Sequence, residues 1–264
     1  MTSTTATERT ATIARGAARP LLVVAFWVVV WQVAALAVGH EVLLASPAKA
    51  VGRLGELSVT ADFWGTVWYS FLRIAGGFVA ASVVGVLGAA AAAGSRVVDA
   101  LVTPALTAVR STPVVSFIIL VLMWASSGQL AFVISFLMVL PITYTNVLEG
   151  IRHRDVALLE VATVFRVPFL RRVPAVDVPA VLPYFTAACR IGVGLAWKSG
   201  IAAEVIGLAK GSIGERLYEA KILLSSADLF AWTAVIIAVS FGFEKLVLAL
   251  LRRAELRLSR GRSA

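Results

Sequence analysis

Apolar residues in this 264-residue chain run in long blocks, not in the single stripe of a surface helix or the alternation of a half-buried strand. One block extends from Leu21 to Gly39, and a second from about Val67 to Ala93. A third starts near Val97 and continues through Trp124; Pro104 and Pro113 interrupt it, which predicts a broken or kinked segment. The fourth covers about Leu130–Leu148 with Pro141 inside it, the fifth about Pro179–Ile206, and the sixth about Leu229–Leu251. Each is close to the roughly 20 residues a helix needs to cross the hydrocarbon core of a bilayer. In lipid the backbone must satisfy its own polar groups, so such blocks form helices. The pattern predicts an all-α polytopic membrane protein with about six transmembrane helices.

Composition agrees: 59% of the residues are hydrophobic and 15% charged, against about 25% charged in soluble domains. About six spans use up the length, leaving no room for a soluble ATPase domain. The first block is longer than the roughly 7–15 apolar residues of a cleaved leader, so it reads as a retained span behind a short disordered tail, residues 1–20. The membrane domain is expected over residues 21–251, followed by a basic tail, 252–264.

The net charge of +9 could suggest a nucleic-acid partner, but its distribution speaks for topology. With six spans, one side of the membrane holds Arg9, Arg15, Arg19, Arg96, the five arginines of the Glu149–Asp177 loop, and the arginines of the C-terminal tail. The other side holds Lys49, Arg53, Lys210, Arg216 and Lys221, interleaved with acidic residues. The excess of positive charge on cytoplasmic loops places both termini and the long loop in the cytoplasm of a bacterial inner membrane protein.

That loop, residues 150–178, has a pattern of its own. Asp155 can cap a helix, and Leu158, Leu159, Ala162 and Phe165 share one face at i, i+3/i+4 spacing. Pro168 suits the first turn of a second helix. The loop therefore predicts two short amphipathic helices joined by a bend. Their apolar face must bury against either a partner subunit or the chain's own bundle.

Here the residues resemble a family. Permeases of bacterial ABC importers carry a cytoplasmic Glu-Ala-Ala, three residues, Gly, then about a dozen residues and an aliphatic-X-X-Pro that opens the next span. This chain matches at Glu160 and Ala162, and Pro179 falls at the expected distance. It departs at Val161, where the family has Ala, and at Arg166, where it has Gly. Ser70-Phe-Leu-Arg73-Ile-Ala-Gly76-Gly77, Arg110-Ser-Thr-Pro113 and Arg190-Ile-Gly192-Val-Gly194-Leu-Ala196-Trp197 are similar to further segments of the family, in the same order. The chain looks most like the nitrate/sulfonate/taurine branch.

The resemblance implies a type I permease fold and a role in import of a small solute, with a nitrate-, sulfonate- or taurine-like anion as the expectation. It implies partners: a cytoplasmic ABC ATPase dimer, a second permease copy or paralogue, an external solute-binding protein, and membrane lipid. It makes Asp155, Leu159, Glu160, Val161, Ala162, Phe165, Arg166, Val167 and Pro168 the ATPase-coupling residues. Arg166 does not tolerate a left-handed backbone as Gly does, so Pro168 becomes the alternative source of the bend.

No catalytic constellation, metal-ligand spacing or nucleotide-binding glycine loop is visible; ATP and Mg are expected on the partner ATPase, with no cofactor on this chain. Cys189 sits alone inside an apolar block, so it reads as an inert buried thiol. Ionisable residues within spans usually face a bundle interior, a pair or water. Arg73 and Lys245 lie near span ends and read as snorkelling or structural. Lys198 and Glu204 lie on the fifth span, which lines the translocation path in the family, and are the candidates for that path. The competing reading is a stand-alone secondary transporter or channel, for which intramembrane charges would also serve.

Overall fold

The computed structural model describes residues 6–260, with side chains described from residue 22 to 256. It contains the helices α1 (Ala6–Val38), α2 (Pro47–Ser58), α3 (Ala61–Gly94), α4 (Arg96–Ser111), α5 (Val114–Leu122), α6 (Ser127–Arg152), α7 (Val156–Val164) and α8 (Phe169–Arg172). A π-helical turn, Val173–Asp177, leads into α9 (Val178–Gly207), followed by α10 (Ile213–Ile222) and α11 (Ser226–Arg260). No strand occurs among the described residues. The expected disordered tail is corrected in part: α1 begins at Ala6, well before Leu21. The remainder of the two expected tails, residues 1–5 and 261–264, lies outside the described residues.

Four helical stretches are long and apolar enough to cross a membrane: Ala61–Gly94, Ser127–Arg152, Phe169–Gly207 and Ser226–Leu256. The third apolar block is the pair α4–α5, bent by 103°, and counts as a fifth crossing if taken as one broken span. Leu22–Val38 is a shorter apolar helix. The expected break is therefore present at Pro113, whereas α4 runs through Pro104 without interruption, and the sequence explains where the break falls. Thr112 precedes Pro113, whose ring disfavours helical backbone at the residue before it. Thr112 is extended (φ −85°, ψ 134°), and Pro113, also non-helical, stands at the start of α5. Thr112 satisfies its own ends on the preceding turn, with N and Oγ1 both donating to Ala108 O.

The described residues divide into two compact units. In the smaller one, α1, the loop after it, α2 and residues 219–233 assemble. Trp31 donates from Nε1 to Ala45 O at 3.0 Å and packs on Phe230 with ring centroids 4.9 Å apart. Arg53 bridges Asp228 at 2.5 Å and Glu56 at 2.8 Å. Ser46 caps α2 by accepting from Lys49 N, with Pro47 in the first turn.

In the larger unit, residues 61–218 and those from 234 onward, α3, α6 and α9 pack against one another. Water does not drive helices together in lipid, so close packing of small residues must. The chain supplies them at the contacts. A Cβ on Gly77 would strike Phe132 O and come within 3.0 Å of Ser135 Cβ; one on Gly85 would lie 2.8 Å from Thr143 Cβ. A Cβ on Gly200 would lie 2.6 Å from Ile74 Cγ1. Ile74, Ile134, Val139, Val193 and Trp197 are buried between these helices. Phe71 and Phe78 each meet Phe243 of α11 edge-on at 5.5 Å.

Candidate functional site

The loop between α6 and α9 starts with a helix whose ends are both sealed. Asp155 caps α7 by accepting from Ala157 N at 2.9 Å, as its sequence position predicts. At the other end Phe165, Arg166 and Val167 close a Schellman motif. Val167 N donates to Ala162 O at 2.8 Å and Arg166 N to Thr163 O at 3.0 Å.

Such a motif needs one residue with positive φ, and that residue is Arg166 (φ 50°). The bend expected at Pro168 is thus corrected. Arg166 adopts the left-handed conformation at the position where the resemblance has Gly, at a cost of about 1–2 kcal/mol for an L-residue. Pro168 stands one residue before α8 and accepts from Arg171 N and Arg172 N. The second short helix is likewise corrected. The helix starting at Phe169 is one continuous 39-residue stretch to Gly207, carried past Pro174 by the π turn. A π turn shifts the backbone pairing, which lets the missing N–H of proline pass without a full break.

Along α7 only Ala162 is buried. Phe165 is 77% exposed, Val164 78% and Val161 53%. Leu159 and Val167 are at the edge of this surface, and Asp155, Glu160 and Arg166 are open to solvent. The alternative burial against the chain's own bundle is met fully at Ala162 and in part at Leu159.

Lys198 and Glu204 fall on different faces of α9. Lys198 is exposed and has no ion pair or hydrogen bond among the described residues. It shares an open strip with Arg190, Ile191 (59% exposed) and Gly194, where an added Cβ would meet nothing within 4 Å. Glu204, expected as a wall of the path, is instead fully enclosed. Its Oε2 accepts from Ser70 Oγ at 2.8 Å and Gly214 N at 3.2 Å, while Oε1 has no partner. Ser70 Oγ in turn accepts from Ile213 N at 2.9 Å. The carboxylate thus ties the end of α9 and the start of α10 to α3.

Arg73, one turn below Ser70, donates from Nε to Gly128 O at 2.6 Å and lies 3.4 Å from the Tyr69 ring centroid. These contacts, to a backbone carbonyl and a ring and with no ion pair among the described residues, favour the structural side of the expected snorkelling or structural role. Lys245 stands 4.9 Å over the Phe241 ring, and Cys189 is buried and free.

Sequence reasoning missed two features. Asp99 at the start of α4 bridges Arg152 of α6 at 2.6 Å, with Thr103 and Tyr144 completing the cluster. Asp177 pairs with Arg154 and, at 3.3 Å, with Arg172. Asp99–Arg152 and Arg154–Asp177 join residues 53 and 23 positions apart, and no local period marks them. Among the described residues no group of acidic, His or Cys side chains could hold a metal.

Comparison with known proteins agrees with this architecture. The model of the family described as "Binding-protein-dependent transport system inner membrane component" matches residues 81–259. A Bacillus subtilis (strain 168) permease named for aliphatic sulfonates transport is 25% identical over 252 residues, 95% of this chain and 88% of the relative. A bicarbonate transport system permease protein of Synechococcus elongatus is 31% identical over 160 residues, 60% of this chain and 57% of that one. The taurine transport system permease protein of Escherichia coli (strain K12) is 25% identical over 229 residues, covering 84% of this chain and 83% of its own length. With a family model matching more than half of a helical, membrane-spanning chain, this protein belongs to the binding-protein-dependent inner membrane components, the permease subunits of ABC transporters.

Proposed function

We propose that the chain lines the translocation path of an ATP-driven importer of a small anion and receives the drive for transport through residues 155–170. The exposed apolar surface of α7 carries this reading. Val161, Val164 and Phe165 project from a helix whose two ends are sealed. Such a helix holds its shape without a partner and gains apolar burial by docking. The partner is a cytoplasmic ABC ATPase dimer that carries ATP and Mg. Glu160 and Arg166, both exposed, supply charges at the rim of the same surface.

The connection favours mechanical transmission. Only Phe165–Pro168 separate α7 from the continuous Phe169–Gly207 helix. A shift of α7 as the ATPases close is therefore passed to a helix that also carries Lys198. The open strip of α9, with Arg190 and Lys198, suits a small anion, in keeping with relatives named for sulfonates, bicarbonate and taurine. A second permease copy or paralogue would face this strip. An external solute-binding protein would meet the segments 40–62 and 207–228. The excess of arginine on one side of the spans supports a cytoplasmic position for both termini and α7.

Copurification tests the reading. The full chain, co-expressed with its ATPase, is expected to bring the ATPase down in detergent, and Glu160→Lys to lose it. A purified chain that takes up anions into liposomes with no ATPase would overturn the proposal in favour of a stand-alone carrier.

A further inference from the structure

At the α7 end of the larger unit, a cleft of about 530 Å³ opens between the ends of α3 and α6 and the start of α9. That volume lies within the roughly 300–1,000 Å³ typical of ligand sites. Its walls are apolar, including Val86, Ala90 and Ala93 of α3 and Leu182 of α9, and its rim carries Arg154, Arg172 and Asp177. Two guanidinium groups share the one carboxylate, leaving a net positive rim. Asp177 takes Arg154 on Oδ1 and Arg172 Nε on Oδ2. Arg154 also donates from Nε to Ile151 O at 2.7 Å. The Nη groups of Arg172 have no hydrogen bond among the described residues, and its guanidinium lies 5.4 Å from the Phe169 ring centroid.

An apolar cleft with a cationic rim matches a molecule with hydrocarbon at one end and an anion at the other. We propose that this cleft is a binding site for an anionic phospholipid of the cytoplasmic leaflet. An acyl chain lies along Val86, Ala90 and Leu182, and the phosphate meets Arg172. Basic pockets between helix ends on the cytoplasmic side recognise lipid headgroups through this combination, and the planar fork of arginine suits phosphate oxygens. The site lies where the π turn joins the Phe169–Gly207 helix to the α7 loop, so a lipid there steadies the segment proposed to carry motion from α7. Placement in the cytoplasmic leaflet rests on the orientation proposed above.

The test is native mass spectrometry of the transporter, full chain with its partner subunits, released from micelles after incubation with phosphatidylglycerol or phosphatidylethanolamine. The wild type is expected to retain phosphatidylglycerol and to discriminate at least fivefold against phosphatidylethanolamine. Arg172→Gln, which leaves the Arg154–Asp177 pair in place, and Ala90→Phe, which fills the cleft, are each expected to lower retention at least fivefold. Unchanged retention in both variants would sink the proposal. So would equal retention of the two lipids, or displacement of phosphatidylglycerol by millimolar inorganic phosphate, which would mark a site for free phosphate. If Ala90→Phe dissociates the assembly in the same spectra without changing lipid retention, a second copy covers the cleft and the proposal is wrong. Retention in micelles does not depend on orientation. Orientation is read separately, by labelling Thr163→Cys with an impermeant thiol reagent in sealed cells, where Cys189 is buried; labelling from outside would overturn the orientation and leave the site standing.

Discussion

Ser70 of α3 and Glu204 of α9 share a 2.8 Å hydrogen bond in a space closed to solvent, and through it α10 is fastened to the bundle. Ser70 is the donor to the carboxylate and the acceptor for Ile213 N, so removing its hydroxyl orphans Ile213 N and leaves Glu204 Oε2 with Gly214 N as its donor. An unsatisfied buried group costs about 1–3 kcal/mol. Ser70→Ala is therefore expected to lower the thermal midpoint of the detergent-solubilised protein measurably. Ser70→Thr keeps the hydroxyl and is expected to lose less. Equal midpoints for Ser70→Ala and wild type would remove this contact from the stability of the chain.

Arg166 offers a test of backbone against side chain. With φ at 50° it holds a conformation that glycine adopts freely. Replacing it with glycine relieves about 1–2 kcal/mol, set against about 0.5–1 kcal/mol of extra chain entropy lost on folding. Arg166→Gly is expected to be neutral to slightly stabilising and to keep the ATPase bound in copurification. Arg166→Val places a β-branched residue in the same conformation and is expected to lose both stability and ATPase. If Arg166→Gly alone releases the ATPase, the arginine side chain is itself a docking contact.

Phe165 tests the docking surface. Because it is 77% exposed, Phe165→Asp removes little packing inside this chain and is expected to leave the stability within about 0.5 kcal/mol of wild type, as for other surface substitutions. The same variant is expected to abolish ATPase capture. A large loss of stability would mean that the side chain is buried against its own bundle.

Two glycines of α9 separate packing from path. A Cβ at position 200 would press on Ile74 and on Ser135 Oγ at 2.7 Å, whereas one at position 194 meets nothing. Gly200→Ala is expected to destabilise by about 1–3 kcal/mol, the usual cost of overpacking. Gly194→Ala is expected to be silent in a thermal melt. A melt in which the two behave alike would contradict the packing of α9 on α3 and α6.

Lys198 is the sharpest point of the proposed path. Its cation sits on an open strip with no acidic partner among the described residues. Lys198→Glu is expected to reduce anion uptake at least tenfold in reconstituted transporter while basal ATPase capture stays intact. Uptake unchanged from wild type would take Lys198 out of the path.

Much of this architecture could be read from the chain alone, and for a simple reason. Solvation of a membrane span is decided residue by residue, so the apolar blocks marked the spans, and Pro104 and Pro113 marked a broken segment, before any packing was known; only the structure put the break at Thr112-Pro113. Asp155 declared its cap because capping is a contact between neighbours in sequence. What the tertiary structure decided lies at longer range. The burial of Glu204 depends on Ser70, 134 residues away, and the pairing of Asp177 depends on Arg154 across a loop. The backbone of Arg166 depends on the closing bonds of α7, which hold it in a conformation that its own side chain disfavours. Local propensity speaks for the helices; only packing speaks for which of their charges is enclosed and which is left open.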